Sequence, residues 1–188
     1  REMATPARKP KYTYQDYLLF PDDGNRHEII GGEHYVSPAP NLRHQIVASN
    51  VHLLVGSFVR ENRLGYFLFA PLDVILSDED VVQPDLLFIS NERSSIAQKS
   101  GAFGAPDLVV EVLSDSTRKR DETIKLRLYD VMGVLEYWLA DPDAGTVQVY
   151  RSRNGRLGLV AELSAAAGDR LETPLLPGLS ILLEQIFE

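Results

Sequence analysis

Pro106-Asp-Leu-Val-Val-Glu-Val-Leu-Ser114 and, upstream, Val81-Val-Gln-Pro-Asp-Leu-Leu-Phe-Ile89 are the stretches on which the reading of this chain turns. Each holds a short aliphatic run with the length and composition of a buried strand, Leu108 to Leu113 and Val81 to Phe88, and each run is interrupted by one acid, Glu111 or Asp85. An ionised carboxylate inside an apolar strand is costly unless something compensates it. A cation does so; an arginine in a structural ion pair also does. If the two strands are neighbours, both carboxylates converge and make a site for Mg²⁺ or Mn²⁺, hard cations that prefer oxygen ligands. Pro84 restricts the pairing of its strand, and an aspartate after proline is equally at home in a turn or strand end.

Working outward, the apolar runs Tyr66 to Leu76, Val81 to Ile89 and Asp107 to Leu113 predict three successive strands. They are separated by Ser77-Asp-Glu-Asp80 and by a loop around Gly101 and Gly104. Before them, Ile46, Val47, Val51, Leu54, Val55 and Phe58 recur at helical spacing and predict a helix over 42–59, with Asn41 as its N-cap. After them, Ile124, Leu128 and Val131 predict a second helix over 118–132, stopped by Gly133. A strand over 135–140 follows. The pieces His27 to Ile30 and Glu33 to Val36 flank Gly31-Gly32 as a hairpin, Thr146 to Tyr150 and Leu157 to Leu163 form another, and a short apolar helix ends the chain. The expectation is one α/β domain over 12–188, with a helix, three strands, helix, strand core and a β-hairpin at each end. Residues 1–11, rich in Arg, Lys and Pro, are read as a tail.

With 188 residues, 44% of them hydrophobic and 24% charged, the chain can bury a sizeable core. The absence of cysteine removes disulfides, thiolate metal sites and thiol nucleophiles, and favours a cytoplasmic protein. The longest apolar run, Tyr66 to Leu72, is far short of the roughly 20 residues of a membrane helix, so no membrane association is expected. A net charge of −8 argues against a constitutive nucleic-acid coat, although a site that gathers carboxylates to hold a cation remains compatible with a polyanionic substrate. Dinucleotide, Walker-type, serine-hydrolase and zincin motifs are all missing from the sequence.

Pro84-Asp85, followed 26 residues later by Glu111 and then by a basic helix, resembles the PD-(D/E)XK nuclease pattern. Glu28-Ile-Ile-Gly-Gly-Glu33, His44-Gln45, the two strands quoted at the outset, Asp121, Lys125 and Tyr129, Gly133-Val134, Glu136-Tyr137-Trp138 and Asp141-Pro142 are similar, in order, to the Uma2 family of restriction-endonuclease-like proteins. The resemblance implies a restriction-endonuclease-like core and a metal-dependent endonuclease acting on DNA. In it, Asp85, Glu111 and the Val112 carbonyl hold Mg²⁺ or Mn²⁺, and Glu28 and His44 occupy accessory positions. One departure matters. In Glu-x-Lys both side chains share a strand face, yet the residue two beyond Glu111 is Leu113. Lys119 and Lys125 are the nearby replacements. The resemblance favours Lys125, with Asp121 and Tyr129 one turn before and after it, whereas Lys119, between Arg118 and Arg120, reads as a phosphate-facing charge. Gln83 and Asp73 are weaker candidates, and Tyr137 and Trp138 read as core. Apolar residues in Leu157 to Val160 and Leu175 to Leu183 point to a homodimer. The competing reading keeps the fold but assigns it to a dimerising or nucleic-acid-binding module whose acids are ion-pair partners.

Overall fold

A computed structural model describes residues 10–188; most of the tail read from the sequence, 1–9, lies outside the described residues. Strands β1 (Arg26–Ile30) and β2 (Glu33–Ser37) form the expected hairpin, after a short helix α1 (Tyr14–Tyr17). Its turn is Gly31-Gly32, with φ of 59° and 77°, the two positive values that a tight two-residue hairpin turn demands. Helix α2 (Leu42–Glu61) starts where Asn41 accepts a hydrogen bond from the His44 amide at 2.9 Å. Val47, Val51, Val55 and Val59, one per turn, are its buried stripe.

The remaining strands are β3 (Gly65–Phe69), β4 (Val74–Ser77), β5 (Asp80–Val82), β6 (Leu86–Ser90), β7 (Ala97–Gln98), β8 (Gly101–Phe103), β9 (Leu108–Val112), β10 (Glu136–Asp141), β11 (Thr146–Arg153), β12 (Arg156–Ser164), β13 (Arg170–Leu171) and β14 (Ile181–Leu182). One sheet runs β12-β11-β10-β9-β6-β3, with only β9 and β10 parallel, and a second runs β2-β1-β5-β4-β8-β7. Two of the expected strands are therefore corrected. Tyr66 to Leu76 is not continuous: it leaves the first sheet after Phe69, passes Ala70-Pro71, and enters the second as β4. Val81 to Ile89 likewise breaks at Gln83-Pro84-Asp85, because a proline supplies no amide to a ladder. Between β9 and β10 lie the helical pieces α3 (Arg118–Arg120), a π turn over Asp121–Lys125, and α4 (Leu126–Met132), ended by Gly133 at φ 85°.

Strand alternation divides the core. Leu86 and Phe88 of β6, Leu108, Val110 and Val112 of β9, and Trp138 and Ala140 of β10 pack with the valine stripe of α2. Their neighbours Leu87, Ile89, Val109, Tyr137 and Leu139 face the other way, with Leu128 and Tyr129 of α4 and with Ile30, Val74 and Val82 of the second sheet. Glu111 shares the second face. Tyr137 and Trp138 are core, as read. Leu176, Leu179, Ile181 and Leu183, residues that seemed surplus to one core and pointed to a dimer, are buried with α5 (Glu184–Phe187) in the α2 cluster. Among the described residues, no helix is long and apolar enough to cross a membrane.

Candidate active site

The register of β6 on β9 pairs Leu86 with Val110, and one step further along the antiparallel pair stand Asp85 and Glu111. Both have the parity of the face turned from α2, so their carboxylates project to the same side. The Asp85 amide donates to Glu111 Oε2 at 3.2 Å, and the Val112 amide donates to Asp85 Oδ2 at 2.8 Å. The proline that ends strand pairing at position 84 thus brings an aspartate against the C-terminal end of β9.

Lys125 arrives from the helix. Its Nζ lies 2.9 Å from Glu111 Oε1, 2.9 Å from Glu28 Oε1 and 3.6 Å from Asp121 Oδ1. It lies in the π turn one turn after Asp121, and both face inward and are buried. Tyr129, in α4, donates to Glu111 Oε1 at 3.1 Å. From the second sheet, Glu28 accepts the Gln83 amide at 2.9 Å, and Arg26, two residues earlier on the same face of β1, donates to Asp85 Oδ1 at 2.8 Å. His44, in the first turn of α2, meets Asp85 Oδ2 through Nε2 at 3.1 Å. The structure therefore gathers His44, Asp85, Glu111 and Lys125 around one cavity of about 230 Å³, with Glu28 behind its wall and joined to it through Lys125.

Electrostatically the cluster is unbalanced. Glu28, Asp85, Glu111 and Asp121 are four buried carboxylates, facing the fixed cations Arg26, Arg120 and Lys125. Burial pushes the Glu111 carboxyl up to about 8 despite the adjacent Lys125 ammonium, with the charges of Asp85, Asp121 and Glu28 adding to the rise. Asp121 is raised chiefly by burial too. Asp85 resists its burial: His44 and Arg26 hold it well below the usual carboxylate range. Burial alone would lower the Lys125 pKa, but Glu111, Glu28 and Asp121 outweigh it and keep the amine protonated.

The donor set fits a hard divalent cation. A carboxylate oxygen has two acceptor positions. Asp85 Oδ2 has both filled, by His44 and Val112, and Glu111 Oε1 has both filled, by Lys125 and Tyr129. Among the described residues Asp85 Oδ1 and Glu111 Oε2 have one partner each and keep one position open. Glu28 Oε2 and Asp121 Oδ1 are buried with no hydrogen-bond partner among the described residues. Among those residues no three His, Asp or Glu side chains already form a ligand cage, so the fit is two carboxylates completed by water, a coordination that Mg²⁺ accepts readily. The Val112 group seen against Asp85 is its amide.

Arg26 and Arg120 are additions to the residues singled out from sequence, and Asp121, noted there as a helix neighbour of Lys125, proves to be a buried member of the cluster. Arg26 had a legible signal, two residues before Glu28 on a period-two strand. Of the basic triplet Arg118 to Arg120, it is Arg120 that turns inward, 3.6 Å from Glu28 and hydrogen-bonded to Ser37, while Lys119 is exposed. Asp73 lies apart, bonded to Tyr17 and to the Gln83 side chain.

A four-stranded β3-β6-β9-β10 run, flanked by α2 on one face and by α3 and α4 on the other, with acids at the β6 and β9 positions described, defines a restriction-endonuclease-like α/β protein. Comparison narrows the class. The sequence model of the Uma2 family, described as "Putative restriction endonuclease", matches residues 14–184, and the chain belongs to that family. No curated protein sequence matches significantly. Among solved structures, the crystal structure of a putative nuclease belonging to DUF820 from Anabaena variabilis ATCC 29413 superposes with a TM-score of 0.77. It is 22% identical, and the match covers 93% of this chain and 97% of that one, which shows the shared fold.

Proposed function

We propose that the protein is a metal-dependent endonuclease that hydrolyses DNA phosphodiester bonds at the cavity between β6, β9 and the π turn. The observation that carries this reading is the meeting of Asp85 and Glu111 from adjacent strands, each with one acceptor position open toward a cavity that also contains Lys125. Asp85 and Glu111, with the Val112 carbonyl, are assigned to hold Mg²⁺ or Mn²⁺. When bound, such a cation supplies Lewis acidity and lowers the pKa of water.

The chain's own groups supply the rest. Lys125, kept protonated by three carboxylates, cannot serve as a base; it is a fixed positive charge for the developing negative charge at phosphorus. Arg26 and Arg120, at the cavity wall, are placed to receive phosphate oxygens. His44 holds Asp85 in orientation, and Glu28 holds Lys125. The test is cleavage of supercoiled DNA with and without Mn²⁺ by wild type and Asp85→Asn. Metal-dependent cleavage that falls about 10³-fold in the variant is expected. Undiminished cleavage by Asp85→Asn refutes the assignment.

The Arg26–Asp85 pair at 2.8 Å favours a second reading, a structural charge cluster in a non-catalytic module. Titration calorimetry separates the two, since that reading expects no heat with Mn²⁺ and a less stable Asp85→Asn.

A further inference from the structure

Beside the acidic cavity, and sharing Arg26, His44 and Asp85 with it, lies a second cavity of about 450 Å³. Its volume is within the range of small-molecule sites. Gln45, Ser49 and His52 fall on one side of α2, turned from the valine stripe, and line this chamber. The Gln45 amide and the Ser49 hydroxyl make no hydrogen bond to another described residue. Phe69, the last residue of β3 and 59% exposed, also lines the chamber, with its ring 4.6 Å from that of His52 in an edge-to-face arrangement. An aromatic face held open beside uncommitted amide and hydroxyl groups fits a planar heterocycle that stacks and hydrogen-bonds along its edge.

We propose that this chamber takes one unpaired nucleobase of the DNA strand whose phosphate lies at Asp85 and Glu111, so that the substrate is single-stranded or locally unpaired DNA; this deepens and rests on the nuclease reading above. A base inside a duplex cannot enter a side chamber without leaving its stack. Charge points the same way. Duplex binding draws its affinity from many phosphate contacts, and this chain carries a net charge of −8. A stacked base adds about 1–3 kcal/mol of affinity through its π face, a contribution that does not draw on the protein's net charge.

The experiment measures fluorescence anisotropy of a labelled single-stranded oligodeoxynucleotide of about 12 nucleotides, and of its duplex, in EDTA, beside cleavage of both in Mn²⁺. The single strand is expected to bind more tightly than the duplex. Phe69→Ala should weaken single-strand binding about 5- to 100-fold, and Phe69→Trp, which keeps a stacking face, should restore it. Duplex preference, or an unchanged dissociation constant in Phe69→Ala, overturns the inference. The two readings fail separately. Phe69-dependent binding without any cleavage in Mn²⁺ leaves the base chamber and removes the nuclease; duplex cleavage indifferent to Phe69→Ala does the reverse.

Discussion

Two glutamates on neighbouring parallel strands, Glu111 on β9 and Glu136 on β10, are equally hidden from solvent, at 1% and 0% exposure, and are treated in opposite ways. Glu136 faces α2. It accepts from Trp138 Nε1 at 2.7 Å, Thr173 Oγ1 at 2.8 Å and Arg151 Nε at 3.0 Å, one cation for one charge, with both oxygens used. Glu111 faces the other side and shares its one ammonium with Glu28 and Asp121. The difference separates a buried charge that is settled from one that awaits a partner. Burial by itself, the feature visible in sequence, is common to both.

Removing the shared ammonium should produce the largest effect. Lys125→Met leaves Glu28, Glu111 and Asp121 buried without it, and breaking a buried pair from one side costs about 3–5 kcal/mol. Denaturant melts at pH 8 should show that loss. It should shrink toward pH 5, where the orphaned acids take up protons. A loss equal at both pH values would mean that Lys125 contributes packing rather than charge.

Glutamine replacements should then separate the two glutamates by sign. Glu136→Gln exchanges an acceptor for a donor opposite Trp138 and Arg151 and is expected to cost about 1–3 kcal/mol at pH 8, with metal-dependent cleavage retained. On the proposed mechanism Glu111→Gln should abolish cleavage, yet it removes a charge from an overcrowded cluster, so the metal-free fold should be as stable as wild type or more so at pH 8. The pH dependence has a definite direction. The Glu111 carboxyl is raised in the fold to about 8, above its unfolded value, so its contribution is fully present below the ordinary carboxylate range and is lost as pH rises toward 8. Metal-free wild type should lose stability over that window, and Glu111→Gln should flatten the slope. A wild-type profile that climbs between pH 5 and 8 with no difference in the variant would contradict the unbalanced cluster.

Much of this site can be read in the sequence because strand alternation is a local rule. Asp85, Glu111, Glu28 and the helix bearing Lys125 follow from runs of a few residues each. What escaped depends on how distant segments meet. Pro71 and Pro84 signal a break in pairing, but nothing near Tyr66 or Val81 announces that the halves on either side join different sheets, since both halves of each run are equally apolar. The inward turn of Arg120 in place of Lys119 depends on its meeting Glu28 and Ser37 of the N-terminal hairpin, more than eighty residues away, and three adjacent basic residues leave no mark of which one faces in. Leu175 to Leu183 looked surplus because the buried face of α2 that covers them lies more than a hundred residues away.

The smallest effect is the most selective probe of the settled glutamate. Thr173→Val deletes one hydroxyl donor to Glu136 Oε2 at nearly constant volume and leaves that oxygen to Arg151, so the cost should be about 1 kcal/mol. The hydroxyl also accepts the Leu175 amide at 3.1 Å, and the turn that seats Leu176 against α2 should loosen with it. Amide hydrogen exchange at Leu175 and Leu176 should quicken while exchange on β9 stays as in wild type. Were β9 to respond equally, the two glutamates would belong to one cooperative polar network across the sheet, and the contrast between them would dissolve.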